Sequence, residues 1–285
     1  MKGLSSVIKI LVYSNMWVGV AVASLCYLTI GVHHANALYF YGFVACTTTF
    51  LYNYMRLVQA RKYDLRNDFS FKAWIVRHRN AVWFFTLFFG AAAFYFLLQI
   101  WDWRLPVVFA VPALVSLIYP LSFKKAFHGF TSLRTFPGLK MFLIAVCWSY
   151  VSTLVPVVLF DRITWAHWIE FVMRSFFILA LVIPFDMRDL AYDDSEMRTI
   201  PQVLGTYKAK QLALFFLLMY QIWIVLRYFI FEGNLPQALA LFMAVEIGYW
   251  LIRQVHLAKH ETYFSFWIEG IPIYGAGLYI IFQWI

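Results

Sequence analysis

Apolar positions in this chain fall in long blocks. Nine can be marked, at about 8–31, 37–60, 82–100, 105–122, 139–160, 164–185, 209–231, 235–254 and 264–285. Roughly 20 apolar residues carry a helix across a bilayer, and each block is of that order. Short polar joints holding Gly, Pro, Asn or Asp separate several of them. The pattern predicts an all-α integral membrane protein of about nine transmembrane helices in one bundle, with residues 1–285 as a single domain. No soluble domain or low-complexity linker interrupts it. The first block is too long for the apolar core of a signal peptide and lacks a cleavage site, so it is expected to be retained.

Composition agrees. The chain is 63% hydrophobic and only 13% charged, whereas soluble domains carry about a quarter charged residues. No water-soluble surface can be built from it. The net charge of +9 invites a nucleic-acid reading, which the placement of the charges excludes. Nineteen of the 23 lysines and arginines lie in the N-terminal segment and in alternate joints, among them Arg77, Lys124, Lys140, Arg188 and Arg253. Arg104, Arg162 and Arg227 alone occupy the opposite joints, and Arg174 lies mid-block. That bias orients the N-terminus to the cytoplasm and, with nine spans, the C-terminus outside. Cys26, Cys46 and Cys147 sit inside apolar blocks with no CxxC spacing and read as small core residues.

The densest acidic stretch runs from Pro184 to Gly205 and closes the sixth block. On a helix, Asp186, Asp189 and Asp193 share one face, with Asp194 a step around it. Carboxylates gathered at a helix end repel one another unless a cation or a set of donors compensates them. The stretch is therefore a candidate metal or phosphate site.

Its residues, Asp-Met-Arg-Asp-Leu-Ala-Tyr-Asp-Asp followed by Arg-Thr-Ile-Pro-Gln-Val-Leu-Gly, resemble the second aspartate motif of the UbiA superfamily of intramembrane prenyltransferases. Asp189, Asp193 and Asp194 match that motif's acids, and Thr199 and Gly205 its tail. Tyr119-Pro120 with Lys124 and Lys125 resembles the family's tyrosine–lysine element, with the lysine one position late. The resemblance implies a nine-helix fold in which two aspartate motifs face each other across a cavity. There Mg²⁺ binds an isoprenyl diphosphate, whose ionisation gives an allylic cation that alkylates a lipophilic acceptor. It further implies Asp189 and Asp193 as catalytic residues, and Asp189, Asp193 and Asp194 as the metal ligands. Lys124, Arg188, Arg56, Asn53 and Tyr119 would bind the diphosphate or shape its site. The expected partners are membrane lipids, the isoprenyl diphosphate and the acceptor, and no nucleic acid.

The first motif departs from the family pattern of Asn-Asp-x-x-Asp-x-x-x-Asp. After Asn53, its three acidic positions hold Tyr54, Leu57 and Arg61, and Asp64 and Asp68 come more than two turns too late. Arg56 can be read as a diphosphate ligand or as an ion-pair partner of Asp189 or Asp193 that leaves no metal. The loss supports a rival reading, a non-catalytic protein that binds an isoprenoid or scaffolds a partner.

Other residues have weaker claims. Arg174 and Glu246 are ionisable at mid-membrane depth and would suit a transport path, although Glu170, one turn from Arg174, offers an ion pair. Lys125, Arg134 and Lys140 read as headgroup anchors. His256 and His260 have metal-ligand spacing without a third ligand. Asp186 stands where relatives of the motif often carry Asn.

Overall fold

Each of the nine apolar blocks falls on a helix in the computed structural model, which describes residues 2–60, 71–119, 138–190, 198–231, 233–256 and 260–284. The helices are α1 (Lys2–Tyr13), α2 (Met16–Ile30), α3 (Ala37–Ala60), α4 (Phe71–Arg77), α5 (Arg79–Ile100) and α6 (Arg104–Ile118). They continue with α7 (Leu139–Phe160), α8 (Trp165–Asp189), α9 (Ile200–Ile230), α10 (Leu235–Arg253) and α11 (Tyr263–Phe282). Among the described residues, α5 and α7 to α11 are long and apolar enough to cross a membrane, and the pair α1–α2, bent by 75°, has the apolar length for a seventh if it is one broken span and not a re-entrant loop. The other two blocks differ in kind. α6 has 15 residues, about 22 Å of helix against a hydrocarbon core of about 30 Å. α3 has the length, but Thr47, Thr48, Thr49, Asn53 and Arg56 make it more polar.

α2 is the central element. Its sequence has no polar face, and a helix that is apolar all round is a buried one. It packs against α3, α7 and α11, while α7, α8, α9, α10 and α11 follow one another around the bundle and α11 closes onto α2. On the other side α3 packs on α5 and α6. Gly19 lets α2 touch the α3 backbone: a Cβ there would collide with Ala45 O and Thr49 Oγ1. Small residues allow such close approach between membrane helices.

Three local irregularities shape the interior. The first block breaks at Ser14-Asn15, where α1 turns 75° from α2. Asn15 adopts φ 59°, a left-handed conformation that Asn tolerates better than most residues. Asn53 of α3 holds the break, donating to Ser14 O at 3.0 Å and accepting from the Asn15 amide at 2.6 Å. The other two are π-helical turns, Tyr150–Leu154 within α7 and Tyr263–Ile268 at the start of α11. Side chains from α2 occupy a carbonyl in each. Thr29 Oγ1 donates to Ser152 O at 2.7 Å, and Trp17 Nε1 donates to Phe266 O at 2.9 Å.

Helix boundaries follow local chemistry. Thr164 starts α8 and Thr199 starts α9, each in a reciprocal capping pair, with His167 and Gln202 respectively. Pro184 lies inside α8, where its missing N–H leaves the ladder one bond short, two residues before the first aspartate of the acidic stretch. Gly205 has φ 76° inside α9. That angle is open to glycine and strained for other residues, so the glycine of the motif tail is a hinge between two helical pieces.

Candidate functional site

The last turn of α8 faces a cavity of about 190 Å³ at one end of the bundle. α8 contributes Ile178, Leu181, Val182, Phe185, Asp186, Arg188 and Asp189; α7 contributes Lys140, Ile144 and Trp148. Tyr52 and Arg56 come from α3, Val12 from α1, and Ser265 and Glu269 from α11, with Glu261 just before it. One end of the space is ionic and its walls are aliphatic and aromatic. A second, smaller cleft of about 50 Å³ lies beside it, lined by Val22, Leu51, Phe109, Pro112, Cys147 and Val151 among others. Tyr52 and Trp148 border both spaces. They are joined by a hydrogen bond from Trp148 Nε1 to the Tyr52 hydroxyl at 3.1 Å.

The ionic end is organised as pairs. Lys140 Nζ lies 2.6 Å from Asp186 Oδ1, and the Asp186 side chain is 0% exposed. A carboxylate buried to that degree needs a paired cation to stay charged. Arg188 grips Asp189 with a two-point fork, Nε to Oδ1 at 2.8 Å and Nη2 to Oδ2 at 3.1 Å, and its Nη1 donates to Ser265 Oγ at 3.3 Å. The Arg188 guanidinium also lies over the rings of Phe185 and Phe264, 5.2 and 5.8 Å from their centroids. Such stacking fixes its plane.

The sequence-predicted residues separate on this geometry. Arg56, Arg188 and Asp189 come together in the cavity. Asn53 is buried and engaged at the α1–α2 break, and it is not among the lining residues. Tyr119 ends α6 with its N–H on Val115 O and is also not among them. Asp193, Asp194 and Lys124 lie outside the described residues, as do Arg61, Asp64 and Asp68. At the first motif, Leu57 is buried in a small apolar cluster with Ile75 and Val82. That position packs inside the protein among apolar side chains, and Arg56 lines the cavity.

Several lining residues escaped the sequence reading. Lys140, expected to anchor a headgroup, is the cation of Asp186. Glu261, Ser265 and Glu269 were missed, although an acid inside the last apolar block is a recognisable signal. Arg174 is elsewhere: it pairs with Glu170 at 2.7 Å, and both are essentially unexposed. Glu246 is exposed on the bundle's outer face, where Gln221 donates to it. No three His, Cys, Asp or Glu side chains converge as a metal site among the described residues.

No family sequence profile and no characterised protein sequence matches the chain. Solved structures do. A UbiA homologue from Aeropyrum pernix superposes with a TM-score of 0.69 at 13% identity, covering 98% of this chain and 99% of that one. A UbiA homologue from Archaeoglobus fulgidus bound to GPP and Mg²⁺ gives 0.64 at 10% identity, with 98% of both chains covered. A digeranylgeranylglyceryl phosphate synthase gives 0.55 at 14% identity, over 99% of this chain and 98% of that one. This chain has the UbiA fold over nearly its whole length, and it is a multi-pass membrane protein.

Proposed function

We propose that the protein transfers a polyprenyl group from an isoprenyl diphosphate to a lipophilic acceptor within the bilayer. The observation that carries this is the cavity's division into two chemistries. Arg56, Lys140 and Arg188, from three different helices, converge with Asp186 and Asp189 at one end, and aliphatic and aromatic walls make up the rest. An amphiphile with a polyanionic head and a hydrocarbon tail suits such a space. The guanidinium and ammonium groups supply charge-assisted donors for phosphate oxygens. The cleft beyond Tyr52 and Trp148 offers apolar surface to the tail, and the positive-inside bias supports a cytoplasmic ionic end.

Asp189 is the described oxygen donor that a hard divalent cation would share with the motif's other aspartates, in place of its fork with Arg188. The acids Asp186, Asp189, Glu261 and Glu269 outnumber the cations Arg56, Lys140 and Arg188 around the cavity, and a diphosphate adds more negative charge. Asp189 would hold Mg²⁺ together with Asp193 and Asp194, as the sequence motif implies. The metal supplies charge neutralisation on the leaving diphosphate. The chain's own part is to fix the head group with Arg56, Lys140 and Arg188. Phe185, Tyr52 and Trp148 shield the allylic cation from water and stabilise it by their ring faces. Likeness in fold to proteins that bind GPP with Mg²⁺, or DMAPP with Mg²⁺, supports this reading.

The apolar setting of Leu57 favours a second reading, in which the fold binds an isoprenoid without turning it over. The test is donor binding and diphosphate release by protein in nanodiscs with radiolabelled geranyl diphosphate and Mg²⁺. We expect release, reduced at least about 100-fold by Asp189→Ala, the scale of a lost transition-state electrostatic contact. Binding without release would establish the second reading.

A further inference from the structure

We infer that the protein pairs with a second copy of itself in the bilayer, through the outer face of α9 and α10 around Gln221 and Glu246. The inference is independent of the transfer reading and starts from a carboxyl group in a costly place. Both helices are long and apolar enough to cross a membrane. Glu246 lies eleven residues after Leu235 and seven before Arg253, the two ends of α10. It is therefore about 16 and 10 Å of helix from those ends, and at that depth it is exposed on the outside of the bundle. The other acids of the long apolar spans are enclosed. Glu170 is buried with Arg174, and Asp186, Asp189 and Glu269 line the cavity. An acid turned toward hydrocarbon is expensive, and intramembrane acids almost always face protein or a polar space.

Inside its own chain Glu246 is only half satisfied. Gln221 Nε2, on α9, donates to Glu246 Oε1. That bond uses one of the two amide N–H groups and one of the two carboxyl oxygens. The second N–H and Glu246 Oε2 have no protein partner among the described residues, and lipid tails offer none.

A second copy supplies both. A two-fold axis along the membrane normal sets each group opposite its equivalent at the same depth. The remaining N–H of each Gln221 then reaches the remaining carboxyl oxygen of the other copy's Glu246, in both directions. Four side chains close a ring in which each carboxyl group lies between two amides and the donors match the acceptors in number. Polar side chains bonded across helices hold membrane helices together in this way. The frame around the ring suits a protein neighbour. Met243 and Trp250 are exposed one turn to either side of Glu246, and Leu218 and Val225 one turn to either side of Gln221. Tryptophan and methionine are enriched in protein interfaces, and an apolar collar of this kind shields the central contacts.

The experiment uses the full chain, one fluorophore per molecule, in liposomes at falling protein-to-lipid ratios, with subunits counted by stepwise photobleaching. The wild type should bleach in two steps at dilutions where the double variant Gln221→Leu/Glu246→Leu bleaches in one. The dissociation constant should weaken at least about tenfold, the worth of two interhelical hydrogen bonds in a membrane. The double variant takes polar groups out of lipid, so its melting temperature in detergent should hold or rise, which separates lost pairing from lost folding. In a background lacking Cys26, Cys46 and Cys147, Met243→Cys should form an inter-chain disulfide on oxidation. Phe88→Cys, exposed on α5, should not. Single-step bleaching of the wild type at every ratio, or bleaching in more than two steps, overturns the inference. So does a double variant that pairs as tightly as the wild type, or a disulfide through position 88 in place of position 243.

Discussion

Glu170 lies within the bundle, 1% exposed, with a donor on every side. Arg174 Nε and Nη2 reach it at 3.0 and 2.7 Å, Tyr220 and Trp223 at 3.0 and 2.7 Å, and Arg227 at 3.1 Å. The far side of Arg174 is equally filled, by the carbonyls of Leu25 and Ser152 and the Thr29 hydroxyl. This is a satisfied structural junction, and it leaves no free group for a transported ion. Removing the acid strands two guanidinium groups, and breaking a buried pair on one side costs about 3–5 kcal/mol. Glu170→Gln is therefore expected to lower the melting temperature in detergent sharply. Geranyl diphosphate affinity, measured below that temperature, should stay near wild type. A melting temperature unchanged within error would show that the junction carries no such load. The sequence displayed only the i, i+4 half of it. Tyr220, Trp223 and Arg227 are three more residues in apolar stretches until α9 packs on α8. Lys140 is the same case: its partner Asp186 is 46 positions away, so a one-dimensional reading leaves it looking like a surface anchor.

At the scale of elements, α2 organises the bundle through its ends as well as its sides. Thr29 near one end and Trp17 near the other each occupy a carbonyl of a π turn, in α7 and α11 respectively. Those turns would otherwise leave carbonyls without partners in hydrocarbon, which is costly. Trp17→Phe keeps the ring against Phe266 and removes the indole donor. Its expected stability loss is about 0.5–1.5 kcal/mol, that of one ordinary hydrogen bond. If the π turn then relaxes, Ser265 and Glu269 rotate away from the cavity, and transfer falls further than stability alone accounts for. Comparing transfer rates of Trp17→Phe and Glu170→Gln at matched distances below their melting temperatures separates the two effects. Equal residual rates would mean that the turn does not depend on Trp17. The all-α class and the apolar blocks were legible because hydrophobic runs are properties of neighbouring residues. The π turns and the break at Asn15 were not, because Trp17, Thr29 and Asn53 act on backbone far away in sequence. Asn53 shows the limit plainly. The motif position suggests a ligand, and the fold employs its amide to hold Ser14 and Asn15.

For the whole molecule, the question is whether the two atypical helices cross the membrane. α6 is apolar but short, and α3 is long enough but more polar than the other spans. Both border the narrow cleft through Thr47, Thr48, Leu51, Phe109 and Pro112, so part of each faces protein in place of lipid. A helix shielded in this way needs less hydrocarbon character, and a short one is accommodated by local thinning of the bilayer at modest cost. The charge pattern supports the same expectation, because lysines and arginines concentrate in alternate joints when every block crosses. Arg104 supports a crossing of α6 from its outer end: it donates to Val158 O and Leu159 O at the close of α7, at 2.9 and 3.0 Å, and pairs with Asp102 at 2.7 Å. That hydrogen bond holds the Asp102 carboxyl below its usual range. Single cysteines at positions 102, 162 and 233, in a background lacking Cys26, Cys46 and Cys147, should therefore react with an impermeant maleimide added outside intact cells. Cysteines at positions 78, 198 and 256 should react only after permeabilisation. If α3 fails to cross, all six positions exchange sides together; if α6 fails to cross, positions 162, 198, 233 and 256 exchange sides relative to 78 and 102. The ionic end of the cavity would then open opposite to the positive-inside expectation, away from a cytoplasmic supply of diphosphate.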